Sequence, residues 1–284
     1  MTTNSPFINA MSVDVEDYFQ VSAFEPYIKR SDWQHIPLRV EQNTDRILQL
    51  FDNHQIKATF FTLGWIAERF PEMVKKIVDN GHELASHGWS HIRVTQQDKN
   101  EFLQDVTRTK HLLEDLSGCQ IKGYRAASYS LNQSNVQWAH QVLAETGHLY
   151  SSSIFPVKHD LYGMPETPRF QWRPDYADIL EIPITTVEYG HKRIACGGGG
   201  WFRFFPYAFS KKAMQRVNQK DQAPVIFYFH PWEIDPDQPK QANLAFKTRF
   251  RHYLNLAKTE KRLNQLLTDF QWGRMDHLFL TNKN

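Results

Sequence analysis

Short apolar runs alternate with amphipathic stretches along almost the whole chain, and several of those runs end on a polar side chain. Residues 8–14, 58–62, 82–86, 121–124, a run through Tyr150, 179–184 and 225–229 read as strands of largely continuous apolar character. A strand buried on both faces reads this way, and such burial is the rule in parallel sheets. Residues 40–54 have helical spacing instead, with Ile47, Leu48 and Phe51 on one side. Pro71 sits near the start of a second helix with Val74, Ile77 and Val78 inward, which Asn80 and Gly81 stop. Thr95 with Asp98 resembles a capping box opening a helix to Gly118. Further helices are expected over 134–147, from Pro206 to about Gln219, and through most of 242–270. Repeated strand–helix alternation implies an α/β fold with a parallel sheet. A chain of 284 residues suits one α/β barrel. We expect a single domain over 1–284, with 235–284 as a C-terminal helical extension.

In parallel α/β folds the chemistry sits beyond the carboxyl ends of the strands. Asp14, Arg125 and His230 each close a run, and His87 lies just past another. Two stretches break the pattern: 155–176, rich in proline and aromatics, and 195–205, with four consecutive glycines before Trp201. Both are too aromatic for flexible linkers and read as loops over the barrel mouth.

His87-Gly-Trp-Ser-His91 is the sharpest motif. Histidines at i and i+4 face one way if the segment turns helically, which suits one divalent metal. Thirteen histidines in the chain make a chance pair a real competitor. Catalytic zinc usually takes three protein ligands, so a carboxylate from another strand end is needed. Asp14-Val-Glu-Asp17 offers one, and Asp14 shares a face with Glu16 if the strand stays extended. His230 has the side chain best matched to proton transfer near neutrality. Arg125 can pair bidentately with a carboxylate and so orient Asp14.

Thirty-three basic and thirty-one acidic side chains leave a formal charge of +2. That balance makes no case for nucleic acid or an anionic membrane, and no block of like charge suggests a binding tail. Cys119 and Cys196 form no motif. The N-terminus shows neither the basic start nor the apolar core of a signal peptide, and no apolar run is long enough to span a bilayer. The expected location is cytoplasmic.

The ordered set of the Asp14 cluster, His87-x-x-x-His91, Arg125 and late His230 resembles the polysaccharide deacetylases of carbohydrate esterase family 4, the NodB-homology domain. GHELASHGWSH (81–91) is similar to that family's histidine motif nearly letter for letter. SVDVEDYF (12–19), GGGWFR (198–203) and HPWEIDP (230–236) resemble the subgroup linked to exopolysaccharide loci and exosortase-type systems. FRHY (250–253) and LLTDF (266–270) fit that subgroup's extra C-terminal region.

The resemblance implies a distorted, incomplete TIM-like barrel and hydrolysis of an acetamido group on an N-acetylated saccharide. It places Asp14 as general base, His87 and His91 as metal ligands, His230 as general acid and Arg125 as tether of the base. The family has adjacent aspartates, but Val15 stands in the second place, so the third ligand is Glu16 or Asp17. Ala127 replaces a proline of the arginine motif, and the backbone N–H near Ser128 remains an oxyanion donor. Zinc is the default ion, and nickel or cobalt also suit two histidines and a carboxylate. Tyr129, Trp201, Phe202, Arg203 and Trp232 are candidates for a sugar-binding rim, though any of these aromatics serves equally well as core. Competing readings are a cyclic-amide hydrolase, an O-acetyl esterase and a non-catalytic carbohydrate-binding relative.

Overall fold

The first strand explains the rest of the architecture. In the computed structural model, which describes residues 7–159 and 162–281, β1 (Ile8–Val15) is buried at every position but its first. The reading of a leaderless start falls partly on residues 1–6, outside the described residues, as do the last three residues of the C-terminal extension. β1 is covered on both faces and paired on both edges, which is why its sequence shows no alternation.

Beside it lie β2 (Thr59–Thr62), β3 (Glu83–Ser86), β4 (Gly123–Tyr124), β5 (Tyr150–Ser151) and β6 (Leu180–Glu181), parallel and in sequence order. β7 (Thr186–Tyr189) and β8 (Lys192–Ala195) form a separate antiparallel hairpin. β9 (Ile226–Phe229) pairs with Ala10–Val13 of β1, and β10 (Gln271–Gly273) with Ile8–Ala10. The sheet curls into a half-barrel with helices outside it, the distorted and incomplete TIM-like barrel that the family resemblance implies.

No ladder joins β6 to β9, and the glycine run fills that gap. Tyr228 N–H donates to Gly197 C=O at 2.8 Å, and Ile226 N–H to Thr185 Oγ1 at 2.6 Å. Gly198 has φ +118°, and a Cβ there would lie 1.9 Å from Tyr228 O. Only glycine allows that approach. Residues 197–199 are therefore a seam of the barrel wall, where the sequence suggests a loop over the mouth. The short helix Gly199–Phe204 follows directly.

Helix Val40–Asn53 buries Val40, Ile47, Leu48 and Phe51 against the outer face. Helix Pro71–Asp79 starts with proline, whose missing N–H costs nothing there. Helix Lys99–Ser117 is opened by a capping box of Asp98 with Glu101, one turn later than the Thr95–Asp98 pair suggests, and Gly118 ends it at φ +66°. Phe61, Tyr129, Tyr150, Phe155, Ile182, Ile184 and Tyr228 form a second cluster, separate from the main core. The C-terminal region is mainly helical through Phe246–Tyr253 and Leu256–Asp269. It is not a pure helical extension, because β10 re-enters the sheet beside β1.

Candidate active site

Asp14 is the last residue but one of β1 and meets Arg125, the residue after β4. Arg125 is fully buried, with Nη1 donating to Asp14 Oδ1 at 2.5 Å and to Ser12 Oγ at 2.9 Å. Its Nε donates to Ser152 C=O and its Nη2 to Ser152 Oγ, and the guanidinium lies 4.0 Å over the Phe61 ring. With its donors held by Ser12 and Asp14 of β1 and by Ser152 just after β5, this arginine has little freedom to turn. Tyr129 OH donates to the other Asp14 oxygen at 3.4 Å.

After Asp14 the backbone turns, with Glu16 N–H donating to Asp14 C=O. Glu16 then points to the histidine pair: its Oε2 is 3.0 Å from His91 Nε2. Glu16, His87 and His91 can each present one ligand atom within 4.8 Å of the others, and all three are buried. His87 Nδ1–H donates to Arg125 C=O at 2.8 Å, which leaves Nε2 as the lone-pair nitrogen. Glu16 Oε2 has no partner beyond its close approach to His91 Nε2, and His91 Nδ1 is buried without a hydrogen-bond partner. Unsatisfied buried polar atoms of this kind cost about 1–3 kcal/mol each, and a cation between these groups would remove part of that cost. The donor set fits a divalent metal.

The histidines do not meet through a helical turn. Gly88 has φ +73° and His91 φ +53°, so the segment is an irregular loop. Gly64 and Trp65 N–H groups donate to Gly88 and Trp89 C=O, while Asp105 accepts from Trp89 N–H. Arg30 donates to the carbonyls of Ser90 and His91. A Cβ on Gly88 would come within 2.9 Å of Asp105 Oδ1.

Asp17 stands apart from this group. Its carboxylate accepts the N–H groups of Tyr18, Arg39 and Val40 at 2.7–3.0 Å, tying the loop after β1 to the start of helix Val40–Asn53. Of the two candidate third ligands, the structure brings Glu16 to the histidines and leaves Asp17 in a backbone role.

His230 follows β9. Its Nδ1–H donates to Glu233 Oε1 at 2.6 Å, and Nε2 faces Glu16 Oε1 at 3.4 Å and Asp14 Oδ2 at 4.0 Å. Burial opposes a charge on this ring, but Glu16, then Glu233 and Asp14, lift its pKa to about 9. Burial also opposes the Glu16 charge, yet His91 and then His230 hold that carboxyl down at about 2. Burial dominates at His87 and pushes it down to about 4. The hollow thus pairs a neutral histidine with an ionised glutamate and a protonated histidine.

The rim candidates separate. Tyr129 reaches Asp14. Trp232 is stacked between His230 and His252, at 5.2 and 4.3 Å, and its Nε1 donates to Glu16 Oε1 at 3.4 Å. Trp201 stays partly exposed and donates to Tyr162 OH. Ser128, at φ +51°, is partly buried with its hydroxyl on Ser22. Phe202 and Arg203 are not rim residues. Phe202 packs on Phe227 in the core. Arg203 is buried, with Nε on Glu233 Oε2 and Nη1 on the carbonyls of Arg251, His252 and Leu254. The glycine seam carries both inward. The sequence reading missed Glu233, Ser12 and Ser152. Glu233 lies three residues after His230, a capping-box spacing, and Ser12 shares the inward face of β1 with Asp14.

A parallel half-barrel with two histidines and a carboxylate gathered beyond its strand ends defines a class of α/β barrels with a candidate metal centre there. Residues 33–147 match the polysaccharide deacetylase family model, and residues 152–280 match a domain of unknown function. Residues 33–147 are thus similar to a polysaccharide deacetylase domain, over less than half of the chain. His87, His91 and Arg125 fall within the first match, His230 falls within the second, and Asp14 and Glu16 precede both.

A peptidoglycan-N-acetylglucosamine deacetylase of Bacillus cereus is 33% identical over 34% of this chain and 35% of its own length. A peptidoglycan deacetylase of Helicobacter pylori is 33% identical over 40% of this chain and 38% of its own. The chain thus spans little more than a third of these relatives. Among solved structures, one described as a polysaccharide deacetylase from Mycobacterium smegmatis has a TM-score of 0.61 at 18% identity, covering 96% of this chain and 90% of that one. The PuuE allantoinase has a TM-score of 0.59 at 15% identity, covering 97% and 91%. These likenesses show the fold, which both structures share.

Proposed function

We propose that this protein hydrolyses N-acetyl groups on an amino sugar in a polysaccharide or its precursor, with a divalent metal, zinc by default, and that it serves exopolysaccharide synthesis. We assign the whole chain to one catalytic domain, because β10 belongs to the same sheet as β1. The observation that carries the reading is the buried Glu16–His87–His91 group beside the Asp14–Arg125 pair and His230. A bound divalent cation would supply Lewis acidity and a water of lowered pKa.

The protein's own groups do the remaining work. Arg125 fixes Asp14 by one oxygen, and the other is placed to take a proton from the attacking water. Addition of that water's oxygen to the acetyl carbon creates an oxyanion, to which the backbone N–H near Ser128 donates. The charges of Glu16, Glu233 and Asp14 keep the His230 ring doubly protonated, so Nε2 carries a proton while Nδ1–H stays on Glu233. The ring passes the Nε2 proton to the departing nitrogen as the C–N bond breaks, releasing acetate and a free amine. Tyr129, Trp201 and Trp232 remain as candidates for contact with the sugar. The exopolysaccharide role is supported by the resemblance of segments 198–203 and 230–236, both within the match of unknown function.

The test is acetate release from a panel of N-acetylated and O-acetylated saccharides. Release from N-acetyl substrates supports the assignment. Release from O-acetyl esters alone makes the enzyme an esterase, and release from neither defeats the hydrolase reading.

A further inference from the structure

The near-neutral overall charge hides one strongly one-sided region. Between Asp237 and Glu260 the chain has no acidic residue but carries Lys240, Lys247, Arg249, Arg251 and Lys258. All five are exposed. In the middle lies helix Phe246–Tyr253, where Phe246 is 84% exposed and Phe250 46%. These are the two most exposed large apolar side chains of this region. They sit one turn apart on one face, with ring centroids 6.3 Å apart. Tyr27, itself 37% exposed, accepts the Ala245 N–H at 3.1 Å and extends the aromatic face, and exposed Lys29 follows it.

The other side of the helix is fixed to the site. His252 is buried and stacks on Trp232, which stacks on His230. Arg203 ties the carbonyls of Arg251, His252 and Leu254 to Glu233, the partner of His230. The exposed aromatic pair is thus rigidly placed relative to the catalytic hollow.

We propose that this face docks peripherally on an anionic lipid bilayer. Phe246 and Phe250 would enter the headgroup–acyl boundary, and the surrounding cations would face the lipid charges. An exposed apolar patch ringed by basic residues is the pattern of interfacial anchors, and each cation near an anionic surface adds to binding. No helix among the described residues is long and apolar enough to cross a membrane, so this contact would be from one side. The charge balance of the whole sequence argues against an anionic membrane, and the segment 238–259 reverses that inference locally.

The experiment is co-sedimentation of the full chain with phosphatidylcholine vesicles with and without phosphatidylglycerol. It needs no catalytic activity, so its outcome is independent of the deacetylase assignment. The chain should sediment with the anionic vesicles only, and less so at high salt. Phe246→Ser/Phe250→Ser and Lys247→Glu/Arg249→Glu should each weaken partitioning roughly tenfold or more, with unchanged circular dichroism. No binding to anionic vesicles, binding unaffected by both double variants, or preference for a soluble anionic polysaccharide over vesicles would overturn the proposal.

Discussion

The barrel holds two buried carboxylate clusters at opposite ends of its strands, and they are built on opposite principles. Near the strand starts, Glu83 accepts from Tyr150 OH on one oxygen and from Thr59 Oγ1 and Asp276 N–H on the other, at 2.6–3.0 Å. Asp276 in turn accepts from Arg274 Nε and Nη2, each at 2.7 Å, from His277 N–H and from Lys122. Both carboxylates of that network are fully partnered. At the strand ends, His91 Nδ1 lacks a hydrogen-bond partner, Glu16 Oε2 meets only His91 Nε2, and two histidines converge on one carboxylate. A closed network stabilises, and an open one waits for a ligand. Gly123 shows how much the closed one constrains: a Cβ there would lie 2.2 Å from the Tyr150 ring and hydroxyl.

Breaking each cluster should therefore have different consequences. The largest effect is expected from Asp14→Asn, which should lower acetate release by about 10²–10⁴-fold while metal binding persists in equilibrium dialysis. Next, Glu83→Ala should destabilise the fold by about 3 kcal/mol in urea denaturation, because it strands buried donors. Acetate release per folded molecule should be retained. If Glu83→Ala abolished turnover in folded protein, the division between the clusters would fail.

The pH dependence sharpens the same contrast. Burial, and then the Asp276 charge, raise the Glu83 pKa from 4.5 to about 7. The folded state then holds this proton more tightly than the unfolded chain. The Glu83 contribution to stability is complete below about pH 4.5 and is lost as pH rises through about 7. The stability difference between wild type and Glu83→Gln should shift across that window. A difference that stays flat would contradict the protonated form. The smallest effect belongs to Lys122→Met. Lys122 lies 3.4 Å from Asp276 but is partly exposed, so its loss should cost under about 1 kcal/mol and leave turnover unchanged.

Much of the fold was legible because strand character and helix spacing are local properties. Continuous apolar runs marked the strands, and the polar residues closing them fell at one rim. What was not legible depends on contacts distant in sequence. Asp17 is a neighbour of Glu16, yet it is consumed by N–H groups 22 and 23 residues away. Phe202 and Arg203 follow a glycine run that reads as a loop but docks on β9. β10 is three residues long and gains its identity only by pairing with β1. The His87–His91 spacing drew attention through helical geometry, whereas the loop that positions both rings relies on Gly88, Asp105 and Arg30.

The central claim is that the open cluster is a metal-dependent deacetylation centre. Its most direct test is acetate release from an N-acetylglucosamine oligomer after chelation and stepwise return of zinc, nickel or cobalt. Turnover should vanish on chelation and return with one ion per chain in wild type, but not in His87→Ala/His91→Ala. Turnover that survives chelation, or that returns in the double variant, would contradict the account.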